Sequence, residues 1–430
     1  MTKVTFAALG LADPLQRALE TRDHTIPTPI QAQAIPQLLE GRDMLGIAQT
    51  GTGKTGAFAL PILHKLFTDW DKKRGPRRTR ALILAPTREL AVQISDEFRA
   101  YGANLPIRSA CIFGGVGRKP QVDSLNRGVD IIVATPGRLL DVMNDARGKL
   151  DSVEFLVLDE ADRMLDMGFV KDVKKIIAAL PQQRQSLLFS ATMPKDIVAL
   201  SKEILIDPVR VEVTPEVVTV DKIDQIVRHV PTSSKAQLLT ELLADESMSR
   251  VIVFTRTKHR ANRVSDHLGK AGISADAIHG NKSQAARQIA LKKFRDGRAR
   301  VLVATDIAAR GIDVDAVSHV VNYELPNEPE SYVHRIGRTA RAGASGQAIS
   351  FCDPSEQGYL KDIEKLTGVT VTVVGDPPGP PAPPPQLGNR APSRGGQNRQ
   401  KPNAENAGQK PGASRGRKRR NRRGPKQKAA

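Results

Sequence analysis

A chain of 430 residues is long enough for two or three domains that each bury a core, and its two cysteines, Cys111 and Cys352, lie far apart with no second thiol or histidine cluster beside either. Neither a disulfide framework nor a zinc site is expected, and the absence of a charged-then-apolar N-terminus or a membrane-length apolar run points to a soluble protein of the reducing cytoplasm. The formal charge of +19 suggests a polyanionic partner, yet 14 Lys and Arg against Asp376 and Glu405 put +12 of it on residues 375–430, leaving +7 on the rest.

In chain order, short apolar runs alternate with longer helical patterns. The runs Met44–Ala48, Ala81–Ala85, Ala110–Phe113, Ile131–Ala134, Phe155–Leu158 and Ser186–Phe189 form a first series. Ile226–Val230, Val251–Thr255, Ala275–His279, Val301–Thr305, His319–Asn322 and Ala348–Phe351 form a second. Runs apolar on both faces and separated by helices predict parallel sheets covered by helices, hence two α/β lobes of one architecture. The echo of Ile132-Val133-Ala134-Thr135 in Leu302-Val303-Ala304-Thr305 agrees. We place a first lobe at 1–213, a hinge at 214–221 in a Val- and Thr-rich stretch without helical periodicity, and a second lobe at 222–374. Residues 375–430, proline-rich and then rich in Gly, Asn, Gln and Arg, have too few apolar side chains to offset chain entropy and are expected to be a disordered basic tail.

Ala48-Gln49-Thr50-Gly51-Thr52-Gly53-Lys54-Thr55 lies between a predicted strand and a predicted helix, the setting of a phosphate-binding loop. Its glycines let backbone N–H groups turn towards phosphates, Lys54 neutralises the β and γ groups, and the Thr55 hydroxyl is a ligand for Mg²⁺. Phe155-Leu156-Val157-Leu158-Asp159-Glu160-Ala161-Asp162 delivers carboxylates to the edge of a sheet where such folds bind ligands. Asp159 is suited to hold Mg²⁺ through water, and Glu160 to orient and deprotonate an attacking water. The second lobe has no phosphate loop but carries His334-Arg335-Ile336-Gly337-Arg338-Thr339-Ala340-Arg341. Read as a helix, this run puts Arg338 and Arg341 on one face with His334, so that one approach brings all three to a triphosphate with the two arginines as fingers; an exposed basic helix is the competing reading.

Together these motifs resemble the DEAD-box RNA helicase family, spelled by Asp159-Glu160-Ala161-Asp162. The likeness extends through Pro27-Thr28-Pro29-Ile30-Gln31, Pro86-Thr87-Arg88-Glu89-Leu90, Gly114-Gly115, Thr135-Pro136-Gly137-Arg138, Ser190-Ala191-Thr192, Gln284-Ala285-Ala286-Arg287 and the run from Ala304 to Asp313. Ile278-His279-Gly280-Asn281-Lys282-Ser283-Gln284 and Val321-Asn322-Tyr323-Glu324-Leu325-Pro326 are similar to the bacterial RhlE-type branch. The resemblance implies two tandem RecA-like lobes, ATP with Mg²⁺ as cofactors, and single-stranded or short duplex RNA as partner, with little sequence preference. It implies that Gln31 reads adenine, Phe6 and His24 lie by the base, and Asp313 bonds the ribose. It further implies that Arg310 and His334 position water, and that Asp162, Ser190 and Thr192 couple the nucleotide to closure. Arg88, Gly115, Thr135, Arg138, Arg287, Thr305 and Asp306 would line the RNA.

Two departures stand out. Asp23-His24 replace the family's glycine and aromatic, and Ala340 replaces a glycine, a change of small consequence unless the backbone there needs φ > 0. Three activities fit the motifs: separation of short RNA duplexes or remodelling of RNA–protein complexes, an ATP-timed RNA clamp or annealer, and a DNA motor on the same plan. The tail reads as an electrostatic RNA tether or as a solvating extension. The resemblance implies a role in ribosome assembly or in RNA decay without choosing between them; the sequence leaves the oligomeric state open, with a monomer favoured.

Overall fold

A computed structural model describes residues 4–49, 51–70, 77–143, 150–213, 223–306, 314, 317–340 and 346–375. The expectations for Thr50, Arg310, Asp313, Arg341, the hinge at 214–221 and the tail from 376 onward lie outside these residues.

The first lobe holds a sheet of β1 (Met44–Ile47), β2 (Ala81–Leu84), β3 (Ser109–Ile112), β4 (Ile131–Ala134), β5 (Phe155–Leu158), β6 (Gln185–Ser190) and β7 (Val209–Glu212). The second holds β8 (Ile223–His229), β9 (Val251–Thr255), β10 (Ala275–Ile278), β11 (Val301–Thr305), β12 (His319–Asn322), β13 (Gly346–Cys352) and β14 (Thr372–Val374). The orders are β3-β4-β2-β5-β6-β1-β7 and β10-β11-β9-β12-β13-β8-β14. With the strands of each lobe counted from its own start, these are the same permutation, and the pairings are parallel in both.

The continuous apolar runs conceal a period of two that feeds a core on each face. Ala81, Ile83, Ile131, Val133 and Val157 enter one cluster of the first lobe, whereas Leu82, Leu84, Ile132, Ala134 and Leu158 enter the other. In the second lobe Val251, Val253, Val301 and Val303 face one way and Ile252, Phe254, Leu302 and Ala304 the other. The twelve expected strands are present. Two more, β7 and β14, occupy the same edge in their respective sheets; half-exposed and only a few residues long, they give no apolar run to read. β8 starts at Ile223, earlier than expected, because pairing with β13 extends through the polar Asp224 and Gln225.

Parallel strands bring all carboxyl ends to one side. The phosphate loop after β1, Arg88 after β2, Thr135 after β4, Asp159 after β5 and Ser190 at the end of β6 therefore share one rim.

Candidate functional site: a nucleotide cleft between two lobes

Gly51 and Gly53 take left-handed φ values of 84° and 89°, so the loop turns back on itself before the Lys54–Thr68 helix begins. A side chain at Gly53 would meet the Gln31 amide nitrogen at 2.7 Å. Lys54 is buried, and its Nζ donates to the Ala48 carbonyl at 2.9 Å, spanning the loop; the Thr52 hydroxyl donates to the Gln49 carbonyl at 2.8 Å. Gln31 is engaged with protein: its Oε1 accepts from the Thr28 N–H at 2.9 Å, and its Nε2 donates to the Gly53 carbonyl at 3.0 Å. It joins the start of its own Pro29–Leu39 helix to the loop. Nearby, the half-buried His24 lies 6.3 Å from the Tyr101 ring, over which Arg22 also sits. Burial first, then the charge of Arg22, holds His24 below its ordinary pKa. Phe6 belongs to the lobe core and donates its backbone N–H to Thr25.

Asp159, just past β5, is almost wholly buried, and its Oδ1 accepts from the Glu160 N–H at 2.9 Å. Burial pushes its pKa up to about 6; Lys54 opposes this and the charge of Glu160 adds to it. A carboxyl whose charge is disfavoured by burial gains from a cation, so Asp159 fits Mg²⁺, which takes one or two protein ligands and completes its shell with water and phosphate; Thr55, in the first turn of the Lys54–Thr68 helix, would be the other oxygen donor. Glu160 has φ 51° and ψ 53°, a left-handed N-cap for the Ala161–Asp166 helix, and its Oε2 accepts from Arg163 Nη1 at 2.8 Å. Asp162 Oδ2 accepts from the N–H groups of Ala191 and Thr192 and from the Thr192 hydroxyl at 3.1, 2.9 and 2.9 Å. The Ser190 hydroxyl accepts from the Asp162 N–H and donates to the Thr192 carbonyl. This hub ties the acidic turn to the loop after β6.

The second lobe closes the cleft. Gln49, Lys54, Glu160, Asp162, Arg163, Ala191 and Thr192 share with Val333, His334, Gly337 and Arg338 a cavity of about 140 Å³. The expected helix over the run of arginines is corrected: it spans Pro329–Ile336 and ends at Gly337, so Arg338 sits in the turn beyond. The chain turns there because the Thr339 hydroxyl donates to the Val317 carbonyl at 2.5 Å and Ala340 adopts φ 55°. The backbone at Ala340 therefore does need positive φ, and its departure from glycine is not minor. Asp23, the other departure, likewise has φ 56°. Arg335 faces inward, paired through Nε and Nη2 with Asp306 at 2.6 and 2.7 Å and donating to Asn322 and the Glu324 carbonyl.

Along the rim, Arg88 lies against Gly114 and Gly115, whose φ of 80° and missing side chain make room for the guanidinium. Arg138 donates to the Val116 carbonyl at 3.0 Å, and Thr135 directly follows β4. Arg287 pairs across the lobes with Glu89 at 2.9 Å, and the Gln284 amide donates to the other Glu89 oxygen at 3.0 Å. Both are buried, as is Thr305 at the end of β11. Glu89 and Arg163 as partners were missed in the sequence. For Arg163 a signal exists, since it follows Glu160 by one helical turn; for Glu89 only the fold reveals a partner some 200 residues on.

Two RecA-like lobes, one with a phosphate loop and an acidic turn and the other bringing His334 and Arg338, define a two-lobed nucleotide-binding motor fold. Residues 28–200 match the DEAD/DEAH box helicase family and residues 234–343 the helicase conserved C-terminal domain. The chain is 45% identical to "DEAD-box ATP-dependent RNA helicase CshA" of Bacillus cereus, over 84% of this chain and 68% of that one. It is 45% identical to "ATP-dependent RNA helicase CshA" of Listeria monocytogenes, over 85% and 69%. S. cerevisiae Dbp5 bound to RNA and ADP BeF3 superposes with a TM-score of 0.76 at 34% identity, covering 86% of this chain and 95% of that one. The chain belongs to the DEAD-box ATP-dependent RNA helicases.

Among the described residues no helix is long and apolar enough to cross a membrane.

Proposed function

We propose that this chain hydrolyses ATP to ADP and phosphate in the cleft between its lobes when single-stranded RNA bridges them, and uses that closure to part short duplexes or to remodel RNA–protein complexes. The supporting observation is the shared cavity, in which Lys54 and Glu160 of one lobe face His334 and Arg338 of the other.

In this reading the loop N–H groups and Lys54 hold the β and γ phosphates, and Gln31, His24 and Phe6 flank the adenine. Glu160 orients a water in line with the γ-phosphorus and accepts its proton, while Arg338 and Arg341 neutralise charge spreading onto the equatorial oxygens. Mg²⁺, held through Thr55 and Asp159, would supply further charge neutralisation at the phosphates. His334 and Arg310 position the water, and Asp313 bonds the ribose. Asp162, Ser190 and Thr192 carry the state of the nucleotide to the lobe interface. RNA lies along Arg88, Gly115, Thr135 and Arg138 and continues past Arg287, Thr305 and Asp306, contacted at sugar and phosphate, so sequence preference is weak. The runs at 278–284 and 321–326 favour an RhlE-like branch. The basic tail favours RNA annealing as a second activity.

The test is ATP turnover without nucleic acid, with single-stranded RNA and with DNA, alongside strand separation of a short RNA duplex. Stimulation by RNA with separation is expected. Stimulation by DNA alone would overturn the reading, and stimulation by RNA without separation would leave the clamp.

A further inference from the structure

Glu160 is held by one particular neighbour. Its side chain and that of Arg163 are 4% and 6% exposed, and their ion pair is 2.8 Å long within a single helical turn. Among the described residues no other cation lies within salt-bridge distance of Glu160. Oε2 is engaged, whereas Oε1 accepts no hydrogen bond from a described residue, and Glu160 lines the cavity shared with His334 and Arg338. The left-handed backbone at Glu160 fixes where the side chain starts, and the guanidinium fixes where it ends. Arg163 also lines a second interlobe cavity with Phe254, Asp306, Arg335 and Arg338, so closure packs the second lobe against the group that steers the carboxylate.

We propose that Arg163 is a positioning residue for hydrolysis: it grips one oxygen of Glu160 so that the other is presented to the attacking water when the lobes close. This rests on Glu160 being the base. Arg163 touches neither phosphate nor water in this scheme and acts only through Glu160. A buried carboxylate free to rotate would spend little of its time in line with the γ-phosphorus, which is a loss in turnover and not in binding.

The test is a double-mutant cycle on the full chain, with kcat and KM for ATP measured at saturating single-stranded RNA. Arg163→Met is expected to lower kcat about tenfold or more and leave KM within about threefold, with Arg163→Lys recovering part of the loss. In a Glu160→Gln background the same Arg163→Met change is expected to alter the residual kcat by less than about twofold. Equal kcat losses in both backgrounds, or a rise in KM with kcat intact, would overturn the proposal. Should Arg163→Met fail to fold, Arg163→Lys is carried through the same cycle with the same criteria. If Glu160→Gln alone keeps full turnover, the assignment of the base is what has failed, and the proposal falls with it.

Discussion

Ala340 and Asp23 show how much a single dihedral carries. Both stand where the family has glycine, and both adopt left-handed φ, which for a residue with Cβ costs about 1–2 kcal/mol and rather less for Asp. Ala340 is also buried, and it follows Arg338 by two residues, so its strain is stored beside the group that reaches into the cleft. Ala340→Gly is expected to stabilise the second lobe by about 1 kcal/mol, raising its melting midpoint by roughly 2–4 °C. An unchanged or lower midpoint in a thermal melt would show that the left-handed turn is not strained. The replaced glycines were visible in the sequence, whereas the dihedrals were not, because the turn at Ala340 is imposed by the bond from Thr339 to Val317. The placement of Lys54, Asp159 and Glu160 on the cleft was legible because each lies just beyond a strand end.

The alternating apolar runs predicted strands well where both faces are buried and failed at β7 and β14, where only pairing to a neighbour holds the chain extended. A second kind of feature left no trace in the pattern. Lys235 at the start of the Lys235–Leu242 helix is fully buried, bonded to Glu356 and 3.2 Å from Asp353, and Arg256 joins Glu356 at 3.2 Å. Such a lysine reads as solvent-facing in any sequence, and only its carboxylate partners make its burial tolerable. Burial would raise the pKa of Asp353, but hydrogen bonds from Ser355 and Thr232 and the charge of Lys235 outweigh it and hold the carboxyl well below its ordinary range. A carboxylate depressed in the folded state stabilises at pH above its unfolded value, about 3.9, and that contribution is lost as the pH falls further. Asp353→Asn is therefore expected to lower urea stability by about 1.5–3 kcal/mol at pH 7, a gap that narrows below about pH 4. A gap of constant size across that range would count against the charge as its source.

At the scale of the molecule, the same strand permutation appears twice, yet only the first lobe has a phosphate loop. The second contributes His334 and Arg338 to the cleft and binds the first through Arg287 and Gln284 on Glu89. Under the proposed function, a nucleotide site completed only by closure and RNA held along the same rim would make each ligand favour the other's binding. The two-lobe plan was readable from the sequence, but the cross-lobe bonds were not, because they join residues far apart in the chain that only closure brings together.

The most direct test is RNA-stimulated ATP turnover in Arg338→Ala, with nucleotide binding measured alongside and Lys54→Ala as the comparison. The account predicts that Arg338→Ala binds nucleotide but loses about 10³-fold or more in turnover, and that Lys54→Ala loses both. Turnover by Arg338→Ala near that of the unaltered chain would contradict a cleft in which the second lobe completes the site.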